Sequence, residues 1–142
     1  MFASHYTSRN LARSPLGNIY QQVGVETGVG QATPHQLVAL LFDGLLEAMA
    51  QARGAIRSGQ TEVKGLSLGR AVRIIDEGLR AGLDMRAGGT LARDLDDLYA
   101  YLTLRLTQTN IRSDETLLDE CQRLVQPLRD AWAAIGDSSS AR

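Results

Sequence analysis

The chain has 142 residues, 44% hydrophobic and 22% charged, a balance that suits one globular domain with a single core and needs neither disulfides nor metals to hold it. A formal charge of -1 lacks the basic excess of a nucleic-acid binder, so nucleic acid is set aside as a partner. Apolar runs stay short, the longest being Leu37 to Phe42, so neither a membrane span nor a secretory leader is predicted and the expected compartment is the cytoplasm.

Residues 1–13 mix Ser, Arg, Asn, His, Phe2 and Tyr6 without periodicity and read as a flexible arm. Ser14-Pro15 then opens a short helix with Ile19, Tyr20 and Val23 on one side, stopped by Gly24, Gly28 and Gly30. The first strong start signal is Thr33-Pro34-His35-Gln36. Thr33 accepts from the Gln36 amide, Gln36 reaches back to the Thr33 amide, and Pro34 fills a position whose N–H would have no helical partner. A long helix from Pro34 to about Arg57 follows, closed by Gly59.

Thr61 is expected to cap a second helix running to about Met85, where Gly88-Gly89 stop it. Thr90 opens a third, from Leu91 to about Ile111. Ser113 caps a fourth, with Asp114 and Glu115 in its first turn and an end at Gly136. Four long helices with short joints predict an all-α, antiparallel up-and-down four-helix bundle over residues 14–136, with the short N-terminal helix and arm before it and a disordered tail over 137–142. On the fourth helix Leu117, Cys121, Leu124, Leu128, Ala131 and Ile135 form one core stripe, with Leu118, Val125 and Trp132 beside it. Cys121 has no partner for a disulfide and reads as a buried small hydrophobe. Pro127 points away from the stripe and predicts a kink rather than an end.

Several faces carry more apolar surface than one core requires. On the first long helix Leu37, Leu41, Leu45, Ala48 and Ala52 make the stripe, and Val38, Phe42, Leu46 and Met49 widen it. On the second, Leu68, Val72, Ile75, Leu79 and Leu83 face the core, and Val63, Ile74, Ala81 and Met85 lie beside them. On the third, Leu91, Leu95, Leu98, Leu102 and Leu106 face inward, Tyr101 flanks them and Leu104 points outward. The first helix could simply be central, or the arm could cover these surfaces. As a set they suit a groove for another helix or an extended chain.

Catalytic chemistry is not predicted. Histidine occurs only at His5 and His35, neither three residues after a Glu as a di-metal bundle site requires, and there is no Cys-x-x-Cys, phosphate-binding glycine loop or G-x-S-x-G. No metal or cofactor is expected, and a phosphotransfer role for His35 is disfavoured by its place at a helix start. Asp43 and Glu47 read as a solvated face, with a charged partner group as the other account. Gly44, in mid-helix, implies close approach of another backbone.

Tyr20-Gln21, Val23, Thr33-Pro34, Leu40-Leu41-Phe42-Asp43-Gly44, then Ala52, Ile56, Gly59, Gly88-Gly89, Leu98-Tyr99, Tyr101, Asn110 and Leu128-Arg129-Asp130-Ala131-Trp132 together resemble the FliS family of flagellar secretion chaperones over roughly residues 18–135. Phe42 stands where Tyr is common before Asp-Gly, His35 where an acidic residue often follows Pro, and Pro127 is unusual. The resemblance implies an export chaperone that binds the disordered C-terminal segment of flagellin, blocks premature polymerisation and presents flagellin to a component of the flagellar export gate. Joined to the broad apolar faces, it makes Tyr20, Val23, Leu41, Asp43, Gly44, Ile74, Tyr101 and Leu104 the expected partner-binding residues. A helical adaptor or homodimeric structural bundle is the alternative, and a homodimer without substrate is open.

Overall fold

The structure, a computed structural model, describes residues 32–140, the last four by their backbone alone. The expected arm, the short helix carrying Ile19, Tyr20 and Val23, and residues 141–142 lie outside the described residues.

Helix α1 spans Pro34–Ser58 and begins as its sequence dictates. The Gln36 amide donates to Thr33 Oγ1 at 3.1 Å and the Thr33 amide to Gln36 Oε1 at 2.9 Å, so two otherwise unpaired donors are satisfied reciprocally. Gly59, at φ 70°, closes the helix, with the Gln60 amide reaching the Ala55 carbonyl at 2.9 Å. Helix α2 spans Thr61–Arg73 and continues as a π-helical stretch, Ile74–Arg80; Gln60 rather than Thr61 takes the cap position, without a side-chain cap bond. The helix stops short of Met85. Asp84 Oδ1 accepts from the Arg86 and Ala87 amides at 3.2 and 3.0 Å, drawing the backbone into a turn instead of a further helical turn.

Helix α3 spans Gly89–Arg112, so Thr90 is already inside it. Ser113 is not the cap of the next helix: at φ 51° it is the left-handed terminator of α3, and Asp114 accepts from the Thr116 amide at 2.9 Å to start α4. The Thr116 hydroxyl, then its amide, hold the Asp114 carboxyl below the usual carboxylate range. Helix α4, Glu115–Ser140, passes through Pro127, whose side chain is exposed, and does not end at Gly136.

Contacts between distant residues fix an antiparallel order. Arg53, late in α1, pairs with Glu115 at 3.1 Å and with Asp119, early in α4, while His35 meets Trp132 at the opposite end. Lys64 Nζ donates to the Asn110 carbonyl at 3.0 Å and Ser113 Oγ at 2.6 Å, and Arg80 pairs with Asp96 at 2.6 Å, so α2 and α3 are antiparallel as well. Helix α1 packs on α2 and α4, and α3 closes the other side of the bundle against the same two helices.

The core follows this arrangement, with instructive shifts. On α1 the whole broad arc is buried, Val38, Phe42 and Met49 as well as Leu37, Leu41, Leu45, Ala48 and Ala52, with Leu46 partly so. The extra apolar width belongs to a central helix. Ile74, expected outside the core, has no exposure. The buried arc of α2 is turned toward α1 relative to the Leu68–Ile75–Leu79 line, through Ser67, Ala71 and Gly78, whose small side chains carry little hydrophobic signal. A Cβ on Gly78 would lie 3.0 Å from both Leu41 methyl carbons, so glycine there lets α1 approach closely. On α3 the centre moves to Ala92, Tyr99, Leu102, Leu106 and Thr109, leaving Leu91 partly exposed; the Thr109 hydroxyl donates to the Arg105 carbonyl at 2.8 Å, satisfying it in the core. On α4 it moves to Leu118, Cys121, Val125 and Trp132, and Ala131 faces out. Burial pushes the Cys121 thiol up to about 12, so it stays protonated at neutral pH.

One end of the bundle is clamped by a reciprocal pair. The His35 and Trp132 rings stack with centroids 4.5 Å apart and planes 4° from parallel. Trp132 Nε1 donates to the His35 carbonyl at 2.9 Å, and His35 Nε2 lies 2.7 Å from the Trp132 carbonyl, as its donor. A Cβ at Gly136 would overlap the His35 ring, so the clamp explains a glycine inside the helix.

Candidate partner-binding surface

A polypeptide-binding face needs apolar side chains held outward on rigid elements, and α3 carries a candidate. Tyr101 and Leu104, adjacent across one turn, are 39% and 53% exposed. The Tyr101 hydroxyl donates to Glu120 Oε2 at 2.8 Å, Arg105 Nε donates to Glu120 Oε1 at 2.7 Å, and the Arg105 guanidinium lies 5.8 Å from the Tyr101 ring centroid. One α4 carboxylate thus fixes two α3 side chains, leaving the phenol ring and the neighbouring leucine as a firm, partly wet, partly apolar edge.

The Arg105 hydrogen bond, then that of Tyr101, hold the Glu120 carboxyl below the usual glutamate range. Its folded value lies below the unfolded one, so its contribution to stability is present above the unfolded value and fades as pH falls through the folded one. Thermal melts taken downward from about pH 6 should therefore show wild type losing more stability than Glu120→Gln as the pH drops through the carboxylate range. Parallel losses in the two proteins would dismiss the network as a stabilising element.

The other expected residues are placed differently. Leu41, Gly44 and Ile74 are buried, so none offers a free surface. Asp43 is exposed but pairs with Arg129 of α4 at 3.0 Å, and Glu47 lies 3.9 Å from Arg70 of α2; the two carboxylates serve different seams. Tyr20 and Val23 lie outside the described residues. Of the described members of the set, the structure therefore brings together Tyr101 and Leu104. The sequence reading missed Leu66, 69% exposed on α2, and Ile111, 78% exposed at the end of α3. Leu66 was legible, since about 100° per residue places it opposite the Leu68–Ile75 side. Ile111 was treated as a helix boundary rather than as surface.

Among the described residues no helix is long and apolar enough to cross a membrane, and no group of three or more His, Cys, Asp or Glu residues is placed to hold a metal ion.

Comparison with known proteins gives a consistent result. The family model described as flagellar protein FliS matches residues 16–139. The chain is 42% identical over 121 residues to the flagellar secretion chaperone FliS of Salmonella typhimurium, covering 85% of this chain and 90% of that protein. It is 46% identical over 116 residues to the flagellar secretion chaperone FliSB of Pseudomonas aeruginosa, with 82% and 91% covered, and 34% identical over 113 residues to FliS of Bacillus subtilis, with 80% of each covered.

Proposed function

The chain belongs to the FliS family of flagellar proteins, and from that premise we propose that it is a flagellar export chaperone that binds the disordered C-terminal segment of flagellin in the cytoplasm. Binding there prevents premature polymerisation and assists delivery to the flagellar type III export apparatus. The observation that carries this reading is the match to flagellar secretion chaperones across the whole bundle. The outward Tyr101 and Leu104 support it, since an unfolded partner gains most from apolar anchors already held in place. In this reading Tyr101 and Leu104 touch the bound segment together with Tyr20 and Val23, Asp43 meets it at the α1–α4 seam, and Leu41, Gly44 and Ile74 act from beneath by setting the spacing of α1 and α2. The protein works by masking and ordering a chain, without chemical turnover.

The test is calorimetric titration of the full chain with the isolated flagellin C-terminal segment. Binding should occur at about micromolar concentration or tighter, with a negative heat-capacity change from apolar burial. Leu104→Glu should weaken it about tenfold or more while folding stability moves by only about 0.5 kcal/mol, as at ordinary surface positions. Absence of binding by the wild-type chain would overturn the reading.

A further inference from the structure

Arg105 sits inside the exposed patch of α3 and is only partly engaged there. Its Nε donates to Glu120 Oε1 at 2.7 Å and its Nη1 to Gln108 Oε1 at 2.8 Å. A guanidinium carries five N–H donors, so three remain without an acceptor among the described residues. Arg53, by comparison, is held by Glu115, Asp119 and Gln122 together. At about 100° per residue, Tyr101, Leu104, Arg105 and Gln108 fall on one arc of α3. The Arg105 side chain is 26% exposed, beside an exposed tyrosine and an exposed leucine. Half-buried Leu98, one turn before Tyr101, and Leu124, one turn after Glu120, stand on the same seam between α3 and α4.

We propose that Arg105 recognises the main chain of the bound flagellin segment, donating its remaining N–H groups to carbonyl oxygens beside the apolar side chains that Tyr101 and Leu104 receive. The inference rests on the flagellin reading and deepens it, by naming a recognition residue and the group it takes. The chemistry favours a neutral acceptor. Glu120 already compensates the guanidinium charge at 2.7 Å, and its second oxygen is taken by the Tyr101 hydroxyl at 2.8 Å. A further carboxylate brought to the same guanidinium would lie close to that of Glu120 and be repelled by it. A main-chain carbonyl meets no such opposition. An unfolded segment offers one at every residue, and those beside its apolar anchors lose water when the anchors dock, so they need a donor. Glu120 and Gln108 act as positioning residues: they fix the guanidinium plane before the segment arrives, so less freedom is lost on binding. Recognition of this kind depends little on the partner's side chains, whereas Tyr101 and Leu104 read its apolar pattern.

Calorimetric titration of the full chain with the isolated flagellin C-terminal segment tests it. Arg105→Ala should bind about tenfold more weakly than wild type, since hydrogen bonds from a charged donor are lost. Arg105→Lys keeps the charge and a partner for Glu120 but not the planar fork. Its melting temperature should therefore fall less than that of Arg105→Ala, while affinity still drops about fivefold. The Arg105 contribution should be the same at about 50 and 500 mM salt, as expected for a neutral acceptor. Synthetic segments carrying single amide-to-ester replacements, which weaken a carbonyl as an acceptor, locate the contact. At neighbouring positions the ester should weaken binding to wild type about threefold and leave binding to Arg105→Ala unchanged. Wild-type affinity in Arg105→Lys, an Arg105 contribution that disappears in high salt, or the absence of any ester position coupled to Arg105 overturns the proposal. If any of these occurs while Leu104→Glu still weakens binding, the flagellin reading stands without it; a wild-type chain that does not bind the segment overturns both.

Discussion

Replacing Ile74 with glutamate should unfold much of the protein at room temperature. Ile74 has no solvent exposure and packs in the core cluster with Leu68, Ala71, Ile75 and Leu79. An isolated carboxylate there loses its hydration without gaining a partner, at a cost of several kcal/mol, while the lost apolar packing adds about 2–5 kcal/mol. Domains of this size are stable by only about 5–15 kcal/mol, so the combined cost takes most of the margin. Ile74→Ala separates the two parts, since it creates the cavity without the charge. Urea titrations of Ile74→Glu, Ile74→Ala and Leu104→Glu beside wild type make the comparison. The first should be largely unfolded, the second should have a clearly lower midpoint, and the third should be close to wild type. An Ile74→Glu protein with a nearly normal midpoint would mean that α2 is rotated relative to the structure.

Trp132→Ala should be the most costly change at the clamped end. The indole is 6% exposed, and truncating a buried aromatic costs about 3–5 kcal/mol. The substitution also strips the His35 carbonyl of its donor and the imidazole of its stacking surface. For a chain of this length the melting temperature should fall by about 10 °C or more. His35→Ala should cost less, and the pair should be non-additive by about 1 kcal/mol, because the rings contribute to one contact. Gly136→Ala adds only a methyl group, yet must displace the imidazole; followed by circular dichroism, it should fall between His35→Ala and wild type. Strict additivity of the two ring substitutions would show that stack and hydrogen bonds do not act together.

Helix number and order were legible from local chemistry, because capping and periodicity act over a single turn. Thr33-Pro34-His35-Gln36 specified the start of α1, and the glycine at 59 its end, before any packing was known. Helix ends that depend on a single side chain were not. Ser113 and Asp114 are both good cap residues, and only the left-handed backbone at Ser113 shows which one terminates α3 and which one starts α4. Core facing was legible where leucines dominate and misread where small residues line the contact. Ser67, Ala71 and Gly78 register weakly on any hydrophobicity count, yet they mark the side of α2 that lies nearest α1, and Ile74 sits among them. The same weakness blurs the limits of the candidate surface: an apolar residue beyond the main stripe reads alike whether a neighbouring helix covers it, as at Val38 and Ile74, or it stays exposed, as at Leu104.

The clamp also gives the molecule a built-in optical probe. Trp132 is the sole tryptophan, so the intrinsic emission of the entire protein comes from one indole resting on one imidazole, between residues 97 positions apart in sequence. Emission therefore follows the meeting of the first and last described helices, whereas far-ultraviolet dichroism follows helix everywhere. In a rapid-mixing experiment the two signals need not coincide: helical signal that appears before the indole changes would mark a collapsed species whose ends are still apart, and superimposed traces would mark one cooperative step.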